Sequence, residues 1–230
     1  MTDPILITGT PRSGVSVVAG VVNLCGAWGG RMPKNVNEFD GRGSFENTDV
    51  RTAMMTPLFQ GIDADPRGQR PLPNHVTCQH LGPVVQDAWR RRFEKIVASQ
   101  GYAGGPFFYA SPRSCLIWPV WAEAFPNAKW VIVRRADEEI IDGCMATGYM
   151  DAYTKQAGWA RWLDGYKWRF SGMIDAGLDV HQIWAHRLIG GHFRELQELV
   201  ESLGLEWDAQ RVEDFIAPIL WKGGIFEVAD

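Results

Sequence analysis

Apolar residues along the chain recur with two periods. Ile5 to Thr8, Phe107 to Ala110 and Trp130 to Val133 are short continuous runs rich in β-branched and aromatic residues, and Val180 to His186 alternates apolar with polar. These read as strands. Between them lie longer stretches with helical recurrence: Val15 to Leu24, Asn47 to Phe59, Pro83 to Ser99, Asp137 to Thr147, Trp159 to Ile174 and Gly191 to Leu203. Asn47 or Thr48 is available to cap the second helix, and Gly204 supplies a stop for the last. Strands separated by helices predict an α/β fold, a parallel β-sheet flanked by helices and joined by right-handed crossovers. Asp63 to Asn74 is rich in Pro, Gly and charge, so a mobile loop-rich segment is expected near 61–82. With no internal repeat, residues 1–230 read as a single domain.

Composition narrows the classes of function. Of 230 residues 46% are hydrophobic, enough for a sizeable core, and the formal net charge is −4. Nothing in that balance favours a nucleic-acid partner. Cys25, Cys78, Cys115 and Cys144 are scattered without a C-x-x-C pair and read as reduced thiols. No apolar run is long enough to cross a bilayer and no leader pattern opens the chain, so no membrane partner and a cytoplasmic location are expected.

The first strand leads into Gly9-Thr10-Pro11-Arg12-Ser13-Gly14-Val15-Ser16. The two glycines have the spacing of a P-loop, G-x-x-x-x-G-K-[ST], but Val15 stands at the lysine position and a cation sits inside the loop as Arg12. The start of the following helix offers unpaired N–H groups and the positive end of its dipole. An anion binds there, and Arg12 adds a planar fork of donors. The fold predicted is therefore a P-loop-NTPase-like three-layer sandwich, and the ligand a phosphate-bearing nucleotide rather than one hydrolysed as Mg-ATP.

Thr10-Pro11-Arg12-Ser13-Gly14 resembles the loop with which sulfotransferases of the bacterial and Golgi-type branches bind the 5′-phosphosulfate of PAPS (3′-phosphoadenosine 5′-phosphosulfate). Lys129 to Arg135 is similar to the strand of that family ending in the arginine that holds the 3′-phosphate. Ser111-Pro112-Arg113-Ser114-Cys115-Leu116, Trp121 and Phe125 to Lys129 resemble the connection before it, Gly41 to Asn47 the "G-x-[FW]-E-[ND]" segment, and Phe193 to Trp207 the closing helix. The resemblance spans nearly the whole chain in order. It implies transfer of a sulfuryl group from PAPS to a hydroxyl or amine acceptor, leaving PAP (3′-phosphoadenosine 5′-phosphate), with no metal required. It places Pro11, Arg12, Ser13, Gly14, Val15 and Ser16 on the 5′-phosphate and Arg134 on the 3′-phosphate. The serine that usually follows that arginine by eight or nine residues is replaced by Asp142 and Gly143. A carboxylate facing a phosphate repels it, so either Asp142 points away, a hydroxyl such as Thr147 substitutes, or PAPS binding is weakened.

Arg12 is the candidate electrostatic catalyst and Glu46 the first candidate base, with capping of the Asn47 helix or pairing with an arginine as its structural alternative. His75 and His80 are rival bases, and with Cys78 they match no zinc pattern. Trp159, Trp162 and Tyr166 form either an acceptor wall or core. Arg90 to Arg92 reach an anionic acceptor or form a solvated face, and Lys222-Gly223-Gly224 resembles a 3′-phosphate clasp. The acceptor is expected to be a small molecule, glycan or lipid. A nucleotide kinase or NTPase, and a non-catalytic nucleotide-binding module with a degenerate site, are the alternative readings.

Overall fold

The apolar runs become four strands in the computed structural model, which describes residues 2–33, 44–74, 82–189 and 193–216. They are β1 (Ile5–Gly9), β2 (Phe108–Ala110), β3 (Lys129–Arg134) and β4 (Val180–Trp184). The sheet order is β2-β1-β3-β4 and every pair is parallel. Register sets Ile7 opposite Ala110, Gly9 opposite Val133 and Arg134 opposite Trp184, so the strands end together at one rim.

The helices are α1 (Val15–Leu24), α2 (Thr48–Val50), which continues through a π-helical turn (Arg51–Met55) into α3 (Thr56–Gly61), and α4 (Gly82–Ser99). After β2 come a 3₁₀ turn (Pro112–Ile117) and α5 (Trp118–Ala124). Then follow α6 (Asp137–Ala146), α7 (Gln156–Asp175), α8 (Ala185–Ile189), α9 (Arg194–Ser202) and α10 (Ala209–Ile216).

Strand alternation divides the apolar side chains between two cores. Leu6, Tyr109, Trp130 and Ile132 pack on one face with side chains of α3, α4, α5 and α7. Ile5, Ile7, Val131 and Val133 pack on the other with α1, α9 and α10. The result is the three-layer α/β sandwich expected. Helix α1 holds five valines, indifferent helix formers. Val15, Val18, Ala19 and Val22 nevertheless make one buried stripe against the sheet, and tertiary burial outweighs propensity.

The first core is held by aromatic contacts around Trp121. Its ring lies 5.2 Å from Trp89, 5.5 Å from Phe93 and 5.3 Å from Tyr109, and it is fully buried. Trp121→Ala is expected to lower stability by about 3–5 kcal/mol, read in urea as a lower midpoint with an unchanged slope.

The tryptophan stripe of α7 is core rather than acceptor wall. Trp159, Trp162 and Tyr166 are buried and line no described cavity, while Trp168 is exposed. Their polar atoms have a second task. Trp162 Nε1 (2.9 Å) and the Tyr166 hydroxyl (3.0 Å) both donate to the Gly68 carbonyl, pinning the loop read over 63–74. The Asp65 carboxylate accepts from the N–H groups of Arg67, Gln69 and Arg70. The Gln69 amide donates to Tyr149 O at 2.8 Å and accepts from Asp151 and Ala152 N–H at 3.1 Å. The loop thus has no regular secondary structure, but its own polar groups fix it to α7 and to the segment after α6.

Two boundaries differ from the periodic reading. Alternation continues to His186, but the strand stops at Trp184 and the chain turns into α8. The connection after Ser111 folds as the 3₁₀ turn and α5, each begun by a proline in its first turn.

Candidate functional site

At the end of β1 the chain rises into the loop and enters α1. Ser13 N–H donates to Thr10 O at 3.1 Å and closes the turn. Of the Ser13 to Ser16 amides, this one is therefore spent within the loop. Arg12 has φ 70° and Gly14 φ 98°, both left-handed. The glycine takes that conformation without strain, whereas at Arg12 it costs about 1–3 kcal/mol. Such strain recurs where geometry serves a ligand. Gly14 caps α1 without any side-chain hydrogen bond. The Thr10 and Ser13 hydroxyls are buried in the loop with no hydrogen-bond partner. Orphaned hydroxyls beneath a helix N-terminus suit a bound oxyanion.

The loop forms one wall of a cavity of about 350 Å³, lined among others by Pro11, Arg12, Gly14, Val15 and Ser16. Opposite stand Glu46, Arg51, Arg67 and Arg113, with Tyr149 and Met150. Four arginines against one carboxylate give the cavity a positively charged lining.

Each of these side chains is positioned by the chain around it. The Asn47 side-chain oxygen Oδ1 accepts from the N–H groups of Asp49 (3.2 Å) and Val50 (3.3 Å), the cap anticipated for this helix. Asn47 Nδ2 donates to Gly29 O at 3.1 Å and to Gln100 Oε1 at 2.8 Å. Glu46, one residue earlier, is thereby anchored to the segment after α1 and to the end of α4. Thr8 Oγ1 donates to Pro112 O and accepts from Cys115 N–H, both at 3.2 Å, so the 3₁₀ turn is tied to β1. That turn carries Arg113.

Arg113 donates to Pro66 O at 2.7 Å, to Ser111 Oγ at 3.3 Å and to Glu46 Oε1. The Tyr109 hydroxyl donates to the same Oε1 at 2.8 Å. Glu46 therefore pairs with an arginine, its structural alternative, while also lining the cavity. Both bonds fall on Oε1, which leaves Oε2 for an acceptor. Burial, and next the Glu46 charge, push the Tyr109 phenol well above its ordinary range, so it remains a donor. Burial works to lower the Arg113 guanidinium, the Glu46 charge raises it, and the net direction is upward. The ion pair is nearly enclosed, with side chains 11% and 13% exposed.

Arg134 follows the neighbouring strand end, but its side chain turns into a second cavity of about 230 Å³. Its Nε and Nη2 donate to Gln182 Oε1 at 3.0 and 2.9 Å, and its guanidinium lies 4.5 Å from the Phe170 ring centre. Lys167 and Trp184 also line this space, and Thr10 lines both cavities. The two arginines thus occupy adjoining chambers on either side of Thr10 instead of one common space. The next residue, Arg135, binds the loop itself. It donates to Arg12 O at 3.1 Å and pairs with Glu139 at 2.9 Å, its side chain only 1% exposed. Burial lowers its guanidinium below the ordinary arginine value.

Asp142 points away from both cavities: it is exposed and accepts from Gln156 at 3.2 Å. Thr147 does not replace the missing serine, because its buried hydroxyl donates to Gly143 O at 2.6 Å. Gly143 packs on Arg12; a Cβ there would sit 3.2 Å from Arg12 Cβ. The glycine gives the arginine its path along α6.

Helix α4 uses Arg90 structurally, on Asp3 (3.2 Å), Glu94 (3.1 Å) and Ala124 O (3.0 Å), and pairs Arg91 with Asp87. Neither these nor Arg92 line a described cavity. His75, Cys78, His80 and Lys222 to Gly224 lie outside the described residues.

One solved structure with the same architecture is the sulfotransferase domain from the Synechococcus PCC 7002 olefin synthase. It matches with a TM-score of 0.51 at 16% identity, over 100% of this chain and 82% of that one. At that identity the likeness is one of fold, a parallel sheet flanked by helices. No family model and no curated protein matches the sequence. Among the described residues no helix is long and apolar enough to cross a membrane.

Arg51 and Arg67 carry no pattern in the sequence that marks them. Arg51 falls five residues after Glu46 on a helix expected to be regular, and Arg67 lies in the Pro- and Gly-rich loop. Arg113 belongs to the motif before β3, but only the folded contacts give it a role.

Proposed function

We propose that the protein transfers a sulfuryl group from PAPS to a hydroxyl or amine acceptor. The observation that carries this reading is the loop: two buried, unpartnered hydroxyls and an uncapped helix start beside Arg12, opening on a cavity with a carboxylate on its far wall. PAPS, when bound, supplies the sulfuryl group and departs as PAP. Thr10, Ser13 and the start of α1 hold the 5′-phosphate, and Arg12 stabilises negative charge on the group in transit. Glu46 Oε2 takes the acceptor proton, with Arg113 and Tyr109 fixing the carboxylate. Arg134, Lys167 and the Phe170 face hold the nucleoside end. Thr10, between the chambers, lets one extended nucleotide occupy both.

The kinase reading has less support, since Val15 at the P-loop lysine position is a buried core residue. Melting temperature separates the alternatives, because a ligand that prefers the folded state raises it. PAP is expected to raise it, while ATP with magnesium leaves it at the buffer value. A rise only with Mg-ATP would favour a kinase, and no rise with either a non-catalytic module.

A further inference from the structure

We infer that the acceptor is anionic: a hydroxy compound bearing a carboxylate or similar group that pairs with Arg51. The inference rests on the sulfuryl-transfer reading of the same cavity. The cations there have separate engagements. Arg113 is held by Glu46, Ser111 and Pro66. Arg67 pairs with Asp151 at 3.0 Å and donates to Tyr149 O at 3.3 Å. Arg12 lies on the loop, where the transferred group is placed. Arg51 lines the same cavity and is half-buried, and its side chain has no ion pair or hydrogen bond with any described residue.

A half-buried guanidinium without a counter-charge has lost hydration and gained nothing in exchange. An anionic ligand supplies what is missing through a charge-assisted, bidentate bond. Arg51 also opens the π-helical turn Arg51–Met55. The wider turn changes the direction in which side chains leave the helix, and such turns recur at functional sites. Donor sulfonate, acceptor hydroxyl and acceptor anion thus have separate partners: Arg12, Glu46 and Arg51. Pro112 and Met150 supply an apolar surface for the carbon skeleton.

The test compares two probes that differ only in charge, 4-hydroxyphenylacetate and 4-hydroxyphenylacetamide, titrated calorimetrically into the PAP-saturated protein. The acid is expected to bind about tenfold more tightly than the amide. Arg51→Gln removes that preference, Arg51→Lys restores part of it, and PAP affinity stays the same in both. Equal binding of the two probes, binding of neither, or an equal loss for both in Arg51→Gln overturns the inference. So does weakened PAP binding in Arg51→Gln, which would assign Arg51 to the donor. If the wild-type protein fails to bind PAP, the donor reading falls instead, and the same titration without PAP still decides whether Arg51 selects charge.

Discussion

Arg12→Ala is expected to leave the chain folded while removing the PAP-dependent rise in melting temperature. Sulfuryl transfer to any acceptor the wild type uses should fall by about 10²–10³-fold, the usual consequence of losing one preorganised charge-stabilising donor. The fold is expected to tolerate the change because the backbone strain at φ 70° falls on alanine much as on arginine. The Arg135 bond to the residue-12 carbonyl also survives the substitution. Arg12→Lys should sit between wild type and alanine, since a point charge replaces a planar fork. A full PAP response in Arg12→Ala would remove Arg12 from the nucleotide site. Arg134→Ala makes the companion case: it should also abolish the response, with the damage confined to the second chamber.

A stability loss as large as that of Trp121→Ala is expected at Arg113. Arg113→Met leaves Glu46 as an enclosed carboxylate whose charge is no longer compensated, with the Tyr109 hydroxyl as its remaining described donor. Removing one partner of a buried pair costs about 3–5 kcal/mol. Much of that is the penalty for the charge left behind, so the double variant Glu46→Gln/Arg113→Met should recover a substantial part of the loss. A double-mutant cycle from urea unfolding measures the coupling. If the two losses simply add, Glu46 and Arg113 are not a functional unit in the fold. Arg113 also holds Pro66 O, so part of the cost is loosening of the pinned loop and will persist in the double variant.

The parts of this molecule legible in the sequence are those in which one local pattern has one physical solution. An apolar run, two glycines and a valine stripe leave few options beyond strand, tight loop and helix, and β1, the loop and α1 follow. Asn47 before a helical period is a cap because its short amide reaches the N–H groups two and three residues on. The cavity is a different matter, since its walls come from segments far apart in sequence. Glu46 is visible as a motif residue, but its partner Arg113 and their shared contact with Tyr109 depend on how β2 and the 3₁₀ turn pack. Arg134 ends β3 and Arg135 follows it; both line the second chamber, but Arg134 spends its donors on Gln182 while Arg135 spends its own on the Arg12 carbonyl and Glu139. The family resemblance singles out Arg134, but nothing in the local pattern gives Arg135 its task on the loop. The α7 aromatics show the same ambiguity from the other side: helical spacing is equally consistent with core and with a pocket wall, and burial decides.

The parallel sheet has a consequence for how the chain is made. Ile5 pairs with Phe108 on one side and Lys129 on the other. During synthesis β1 leaves the ribosome before either neighbour has been translated, with its amide edges and its apolar faces bare. The phosphate loop and the start of α1 travel with it. The sheet rim that carries the loop cannot assemble until the segment through Arg134 is free to fold back, and closing so long a loop is slow. For that interval a central strand of the sheet has no native partner, and dependence on a holding chaperone would arise there first.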